Sequence, residues 1–364
     1  MKVSIGSKIV EGPWGGGNLF AINLSNYLLE RGHSVLYDLT EPDIDLILLT
    51  DPRSRSESSS TFNHIEIEKY KQFVNPNVSV VQRINECDER KNTSNINNFY
   101  LKASLVVDHV VFVSSWLRNI YTEIGMDKEK TSVILAGANK EIFNLSEVNT
   151  WNKEDKIKLV THHWSNHYNK GFDIYELINN MLLETKWKNK LEFTYIGNLN
   201  ENYNLENTKL IKPLHGIKLA EELKKNHIYI TGSINEPSGN HHIEAAQCGL
   251  PILYRDSGGI PEYCDGYGLS FDDNFETILE KMIIEYSFYL EKMKNYPFNS
   301  DKMCKEFLDL FEELIENKSK ISFTISTSGS LLMKKNKLMN KFRISLLSTS
   351  KRIVSGMLNW IKDA

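Results

Sequence analysis

A chain of 364 residues is long enough for two domains, each with a core of its own. Its 41% hydrophobic and 25% charged residues exclude a disordered or fibrous protein, and no apolar run approaches the ~20 residues that span a bilayer. The net charge of −4 hides an asymmetry: residues 331–364 hold eight basic side chains against one acid, Asp363, so that segment is +7 and the rest of the chain −11. A nucleic-acid binder would carry its basic residues on a folded domain among stacking aromatics, so no nucleic-acid partner is expected. Cys87, Cys248, Cys264 and Cys304 show no paired spacing and no signal segment is read at Met1, which sets a cytoplasmic, reducing location as the expectation.

In chain order, the apolar runs 2–5, 45–49, 78–84, 109–113 and 132–135 predict strands, followed by 157–161, 191–196, 227–230 and 251–254. Helical spacing lies between them, for example over 19–31, 172–183 and 217–225. Strands alternating with helices predict parallel sheets covered on both faces. The expected architecture is therefore α/β, with two Rossmann-like doubly wound domains. We read 1–150 as the first domain, 151–318 as the second and 319–364 as a linker with a basic tail. The polar stretch 146–156 joins the two domains, and 53–60 and 322–330 are of low complexity.

Open parallel sheets bind ligands at the carboxyl ends of their strands. Three of the loops there stand out. GPWGGG (12–17) runs straight into a helix, so the bare N–H groups of Gly16 and Gly17 can approach a phosphate, although the spacing is not that of the dinucleotide fingerprint. The loop 162–171 holds Lys170 with His162, His163 and His167, which suit phosphate or sugar contact; a zinc site would need further ligands at suitable spacing. The strand end QRINECDER (82–90) offers Arg83, Asn85, Glu86 and Asp88. Either acid has the chemistry of a general base, and Arg83 with Asp88 has that of a structural ion pair. Asp51, Arg53 and Arg55 suit either an anionic acceptor or a solvated loop.

The most informative stretch is EPSGNHHIEAAQCGLP (236–251). It follows a strand, crosses a turn and enters a helix at about Asn240. Glu236 then sits before the helix and Glu244 about one turn inside it. The free N–H groups of the helix start suit an anion, and both carboxylates suit hydroxyls. Phosphate plus several hydroxyls describes a sugar nucleotide.

That spacing resembles the E-x7-E motif of the retaining family 4 glycosyltransferases. The resemblance continues in order through GGGNLF (15–20) with LLERGHSV (28–35), VFVSSWLRNIY (111–121), VILAGANKEIF (133–143), NKGFDIY (169–175), YIGN (195–198) and DSGGIPEYCDGYGLSF (256–271). It covers roughly residues 1–315 and implies the GT-B architecture, with two domains facing across a cleft. It also implies a retaining transfer from a nucleotide diphosphate sugar to a hydroxyl acceptor, such as a glycan or lipid-linked glycan of a bacterial cell surface. Lys170 and Glu236 take the catalytic roles. Gly16, Gly17, His163, Gly239, Asn240, His241 and Glu244 join Glu236 in holding the donor, and Arg83, Asn85, Glu86 and Asp88 face the acceptor. No metal or cofactor is expected. Two departures stand out: Ser165 occupies the place of the family's arginine, with no arginine close in sequence, and 82–90 lacks the family's His-Asp pair. The alternatives are a sugar-nucleotide epimerase of similar architecture and a non-catalytic sugar-nucleotide-binding protein.

In the tail, Ile353, Val354, Met357, Leu358 and Ile361 recur at helical spacing between Lys351, Arg352 and Lys362. Residues 331–364 therefore read either as a segment that lies on an anionic membrane surface or as a helix docked on protein.

Overall fold

All nine predicted strands form, and each pairs in parallel with its neighbours. The computed structural model describes residues 1–10, 15–54 and 59–339. The first sheet contains β1 (Lys2–Ile5), β2 (Ser34–Leu36), β3 (Leu46–Leu49), β4 (Ser79–Ile84), β5 (His109–Phe112) and β6 (Thr131–Val133), in the order β2-β1-β3-β4-β5-β6. The second contains β7 (Ile157–His163), β8 (Leu191–Gly197), β9 (Lys209–Ile211), β10 (Ile228–Thr231), β11 (Ile252–Arg255) and β12 (Gly268–Phe271), in the order β12-β11-β10-β7-β8-β9. Helices cover both faces, so central strands such as β3 and β4 are buried at every residue, and β3 reads as a continuous apolar run.

In the first domain those helices are α1 (Gly16–Glu30), α2 (His64–Phe73), α3 (Asp88–Lys91), α4 (Ile96–Ala103) and α5 (Ser115–Glu123). In the second they are α6 (Phe172–Met181), α7 (Gly216–Leu223), α8 (Asn240–Gln247), α9 (Pro261–Cys264), α10 (Phe275–Ile284) and α11 (Tyr286–Met293). The strand order reverses direction between β1 and β3 in one sheet and between β7 and β10 in the other. Such reversals open a crevice outside the carboxyl ends of the strands, where ligands bind.

The chain then crosses back. The helix α12 (Ser300–Glu316), within the span read as second domain, lies against α1, with Phe307 5.1 Å from Phe20 between ring centroids. Phe311 shares a core with Val3, Leu24 and Leu28. The two crossings meet where Ser300 N–H donates to the Ala138 carbonyl at 2.7 Å. Gly137 admits no side chain there, because a Cβ would stand 2.1 Å from the Asn299 carbonyl oxygen.

From the end of α12 to residue 339 the chain stays on the first domain. Lys318 pairs with Asp108 at 2.7 Å, Asn77 exchanges hydrogen bonds with Ile321, and the chain is helical over 327–339. Leu332 and Met333 of that helix pack on the cluster around Ile44, Tyr70 and Val78. The docked reading therefore describes the start of the tail, while the amphipathic run 353–361 lies outside the described residues. Among the described residues no helix is long and apolar enough to cross a membrane.

Candidate functional site

A cleft of about 590 Å³ lies between the carboxyl ends of the two sheets. The first domain contributes Gly16, Gly17, Arg83 and Asn85, and the second contributes His163, Lys170, Glu236, Gly239, Asn240, His241 and Glu244. Of the predicted site residues, Glu86 and Asp88 do not line it. Asp88 accepts backbone N–H groups of Ile96 and Asn97 at 2.9 and 3.0 Å and the Thr93 hydroxyl at 2.6 Å. Burial alone would raise its carboxyl, but these bonds hold it below the usual carboxylate range. Asp88 is thus a loop tie rather than a base, and it makes no ion pair with Arg83. Glu86 is taken up by Arg90 at 3.4 Å and Lys91 at 3.2 Å. Asp51 and Arg53 likewise hold each other at 2.6 Å, and Arg55 lies outside the described residues.

Two helix starts face each other across the cleft. Neither α1 nor α8 has an acid in its first turn or a side-chain cap, so the N–H groups of both remain free for an anion. They are close, since a Cβ on Gly16 would lie 3.0 Å from the Asn240 side-chain oxygen. Gly239, at φ 79, is the N-cap of α8.

The glutamates that flank the start of α8 are both buried, Glu236 at 5% exposure and Glu244 at 6%. The Lys170 ammonium contacts one oxygen of Glu236, and the Arg90 Nε lies 3.2 Å from the other. Burial alone would raise Glu236, but Arg90 and then Lys170 outweigh it and hold the carboxyl at about 2. Lys170 is aimed by the glycine that follows it. Gly171 takes φ 91, and a Cβ there would stand 2.3 Å from the Gly232 backbone, so only glycine lets the loops after β7 and β10 approach this closely at that point. Glu244 meets His162 Nε2 at 3.0 Å.

His163 and His241 turn out to be neutral props. His163 Nε2 lies 2.6 Å from the Tyr175 hydroxyl, and His241 Nε2 lies 2.9 Å from the Thr231 hydroxyl. Burial pushes both rings well below the usual histidine value. The cations beside Glu236 are instead Lys170 and Arg90. Sequence spacing cannot reveal Arg90, because it reaches Glu236 from the other domain. Asn169 Nδ2 donates to the Arg90 carbonyl at 2.9 Å and Asn235 Nδ2 to the Glu89 carbonyl at 3.2 Å, which fixes α3 against the second domain. The domains are also joined by Glu262, whose carboxylate accepts the N–H groups of Ser115 and Trp116 at 2.8 and 2.9 Å and so caps α5.

Residues 183–286, which include both bracketing glutamates, match the sequence model of glycosyl transferases group 1. The chain is 24% identical over 234 residues to the phosphatidylinositol N-acetylglucosaminyltransferase gpi3 subunit of Schizosaccharomyces pombe; this covers 60% of the chain and spans about half, 50%, of that relative's length. A glycosyltransferase of Rickettsia africae superposes with a TM-score of 0.62 and 15% identity, over 87% of this chain and 99% of that one. Anabaena Alr3699/HepE, solved with UDP and glucose, gives 0.64 and 13%, over 86% and 100%. By sequence over 183–286, and by fold over most of its length, this chain is similar to the group 1 glycosyl transferases, and its two facing sheets have their GT-B architecture.

Proposed function

We propose that this chain is a retaining glycosyltransferase that moves a sugar from a nucleotide diphosphate sugar to an acceptor hydroxyl. The observation that carries the reading is the uncapped, acid-free start of α8 at the β7/β10 reversal, bracketed by two buried glutamates and faced by Lys170. A diphosphate needs N–H donors and cations, and ribose and sugar hydroxyls need carboxylate acceptors. In this reading Glu244, aligned by His162, takes the ribose, and Glu236 takes the sugar. Lys170 and Arg90 share Glu236 when no donor is bound; a diphosphate gives both cations a second anion and leaves the carboxylate to the sugar.

As the sugar departs, the diphosphate gains negative charge, and stabilising that charge is the main electrostatic task. Arg90 supplies from the first domain the guanidinium that Ser165 lacks. The reading assigns that work to Lys170, Arg90 and the helix start, without a metal. A neighbour solved with UDP and glucose and a relative named for N-acetylglucosamine transfer support a UDP-sugar donor. The acceptor in this reading is a glycan or lipid-linked glycan, reached from the cytoplasmic face of a membrane with the help of the +7 segment 331–364.

Calorimetric titration of the full-length protein with UDP-, GDP-, ADP- and dTDP-sugars tests the donor. One nucleotide is expected to bind selectively, and nucleotide release is expected to depend on added glycan acceptors. Failure to bind any of them sinks the reading, and conversion of the sugar without an acceptor would make the protein an epimerase.

A further inference from the structure

Three cations line the cleft on side chains longer than histidine: Arg83, Arg90 and Lys170. Arg90 and Lys170 have Glu236 between them, and Arg90 also has Glu86. Arg83 has neither. It is 5% exposed, lies at the end of β4 with its guanidinium 4.1 Å over the Phe20 ring, and makes no ion pair or hydrogen bond to any described residue. The titratable groups that act on it among the described residues are the phenols of Tyr263 and Tyr100. The Tyr263 hydroxyl is already engaged, donating to the Val113 carbonyl at 2.5 Å and accepting the Ala136 N–H at 3.0 Å. A cation that is nineteen-twentieths buried without a carboxylate is costly to fold, which makes an anionic ligand the natural partner.

The surroundings agree in sign. Phe20 stands one helical turn inside α1, so Arg83 stacks beneath the free N–H groups of that helix start, and no acid occupies its first turn. Asn85 and Asn139 line the same cavity with further polar atoms, and Ile22 and Phe143 give it an apolar wall. Lys170 and Arg90 gather at Glu236, whereas Arg83 stacks on Phe20 of α1, so the cleft offers an anion a second cation besides the pair that would hold the diphosphate.

We propose that the acceptor carries an oxyanion, a phosphate or a carboxylate, that docks on Arg83 against the start of α1. This rests on the transferase reading and narrows it: the acceptor hydroxyl belongs to an anionic molecule, and a neutral sugar leaves the buried guanidinium uncompensated. Stacking on Phe20 holds the guanidinium plane still, so its fork of N–H donors is pre-aligned for two oxygens.

The test is calorimetry on full-length protein saturated with UDP, which fills the diphosphate seat, titrated with inorganic phosphate and separately with acetate. Binding of one or both to the UDP-loaded protein is expected, with the tighter one naming the oxyanion. Arg83→Met should weaken that binding at least tenfold, leave UDP affinity unchanged and leave Tm equal or raised; Arg83→Lys should fall between. Absence of binding by either anion, or equal binding by wild type and Arg83→Met, overturns the proposal. So does a loss of UDP affinity in Arg83→Met, which would put Arg83 in the diphosphate seat. A fall in Tm with anion binding intact would make Arg83 a structural residue and also overturn it. If wild type ignores UDP, the donor reading fails by itself, and anion titration of wild type against Arg83→Met still decides whether the seat exists.

Discussion

The two walls of the cleft start from the same backbone device and diverge in their side chains. On the first wall, α1 presents free N–H groups beside Arg83, with apolar residues around it and, among the described residues, no carboxylate paired with it. On the second, α8 presents free N–H groups between two buried glutamates, backed by four histidines and one lysine. The difference teaches that a helix start sets only the sign of a ligand's charge. The side chains around it decide what else the ligand carries: hydroxyls where carboxylates wait, and a lone oxyanion where only a cation does.

The largest expected effect uses the fact that only the second wall is built on buried histidines. His163, His241 and His242 are each pushed down by burial, His242 to about 3, and neither ring nitrogen of His242 has a partner among the described residues. Folding keeps these rings neutral where the unfolded chain would protonate them, so stability is complete above the ordinary histidine value near 6.5 and is lost as pH falls below it. For His242 that window runs down to about 3, and a ring that is protonated only in the unfolded chain costs about 1.4 kcal/mol per pH unit there. Urea midpoints at pH 7, 6 and 5 should therefore fall steeply. A flat profile would mean that the rings are reached by water.

Next comes Lys170→Ala, which should lower turnover on the order of 10²–10³-fold, because its contact matters most as the diphosphate departs. If Arg90 carries the leaving charge alone, single-turnover rates will drop only a few-fold. Glu244→Ala follows, removing one or two bonds worth about 1.5–3 kcal/mol each, roughly tenfold or more in donor affinity with little change in kcat. Unchanged titration would take Glu244 out of the ribose site. The smallest effect is Glu262→Ala, which strips the carboxylate from two N–H groups of α5 while the Ser114 cap stays, and should cost about 0.5–2 kcal/mol, read as a lower Tm with donor affinity intact.

The architecture was legible because central strands such as β3, β4, β7 and β10 are buried on both faces and carry apolar stretches between polar loops. The three strands that sequence reading missed, β2, β9 and β12, all lie at sheet edges. An edge strand has one neighbour and less cover: Ser34, Lys209 and Ser270 are exposed, so its apolar pattern is broken. Glu236, Glu244 and Lys170 were legible because the strand–loop–helix order fixes where each falls. Arg90 was not, because its partner lies on another domain and no spacing records a contact across a cleft. Asp88 was misjudged for a related reason. Sequence shows a carboxylate at a strand end, but whether it faces the cleft or its own loop depends on hydrogen bonds to Thr93 and Ile96.

The crossing at Ala138 and Asn299 has a mechanical consequence. Gly137 belongs both to this crossing and to the cleft lining, so one residue serves the junction of the domains and the wall of the cavity. Any side chain at residue 137 would push the Asn299 backbone away and disturb the two together.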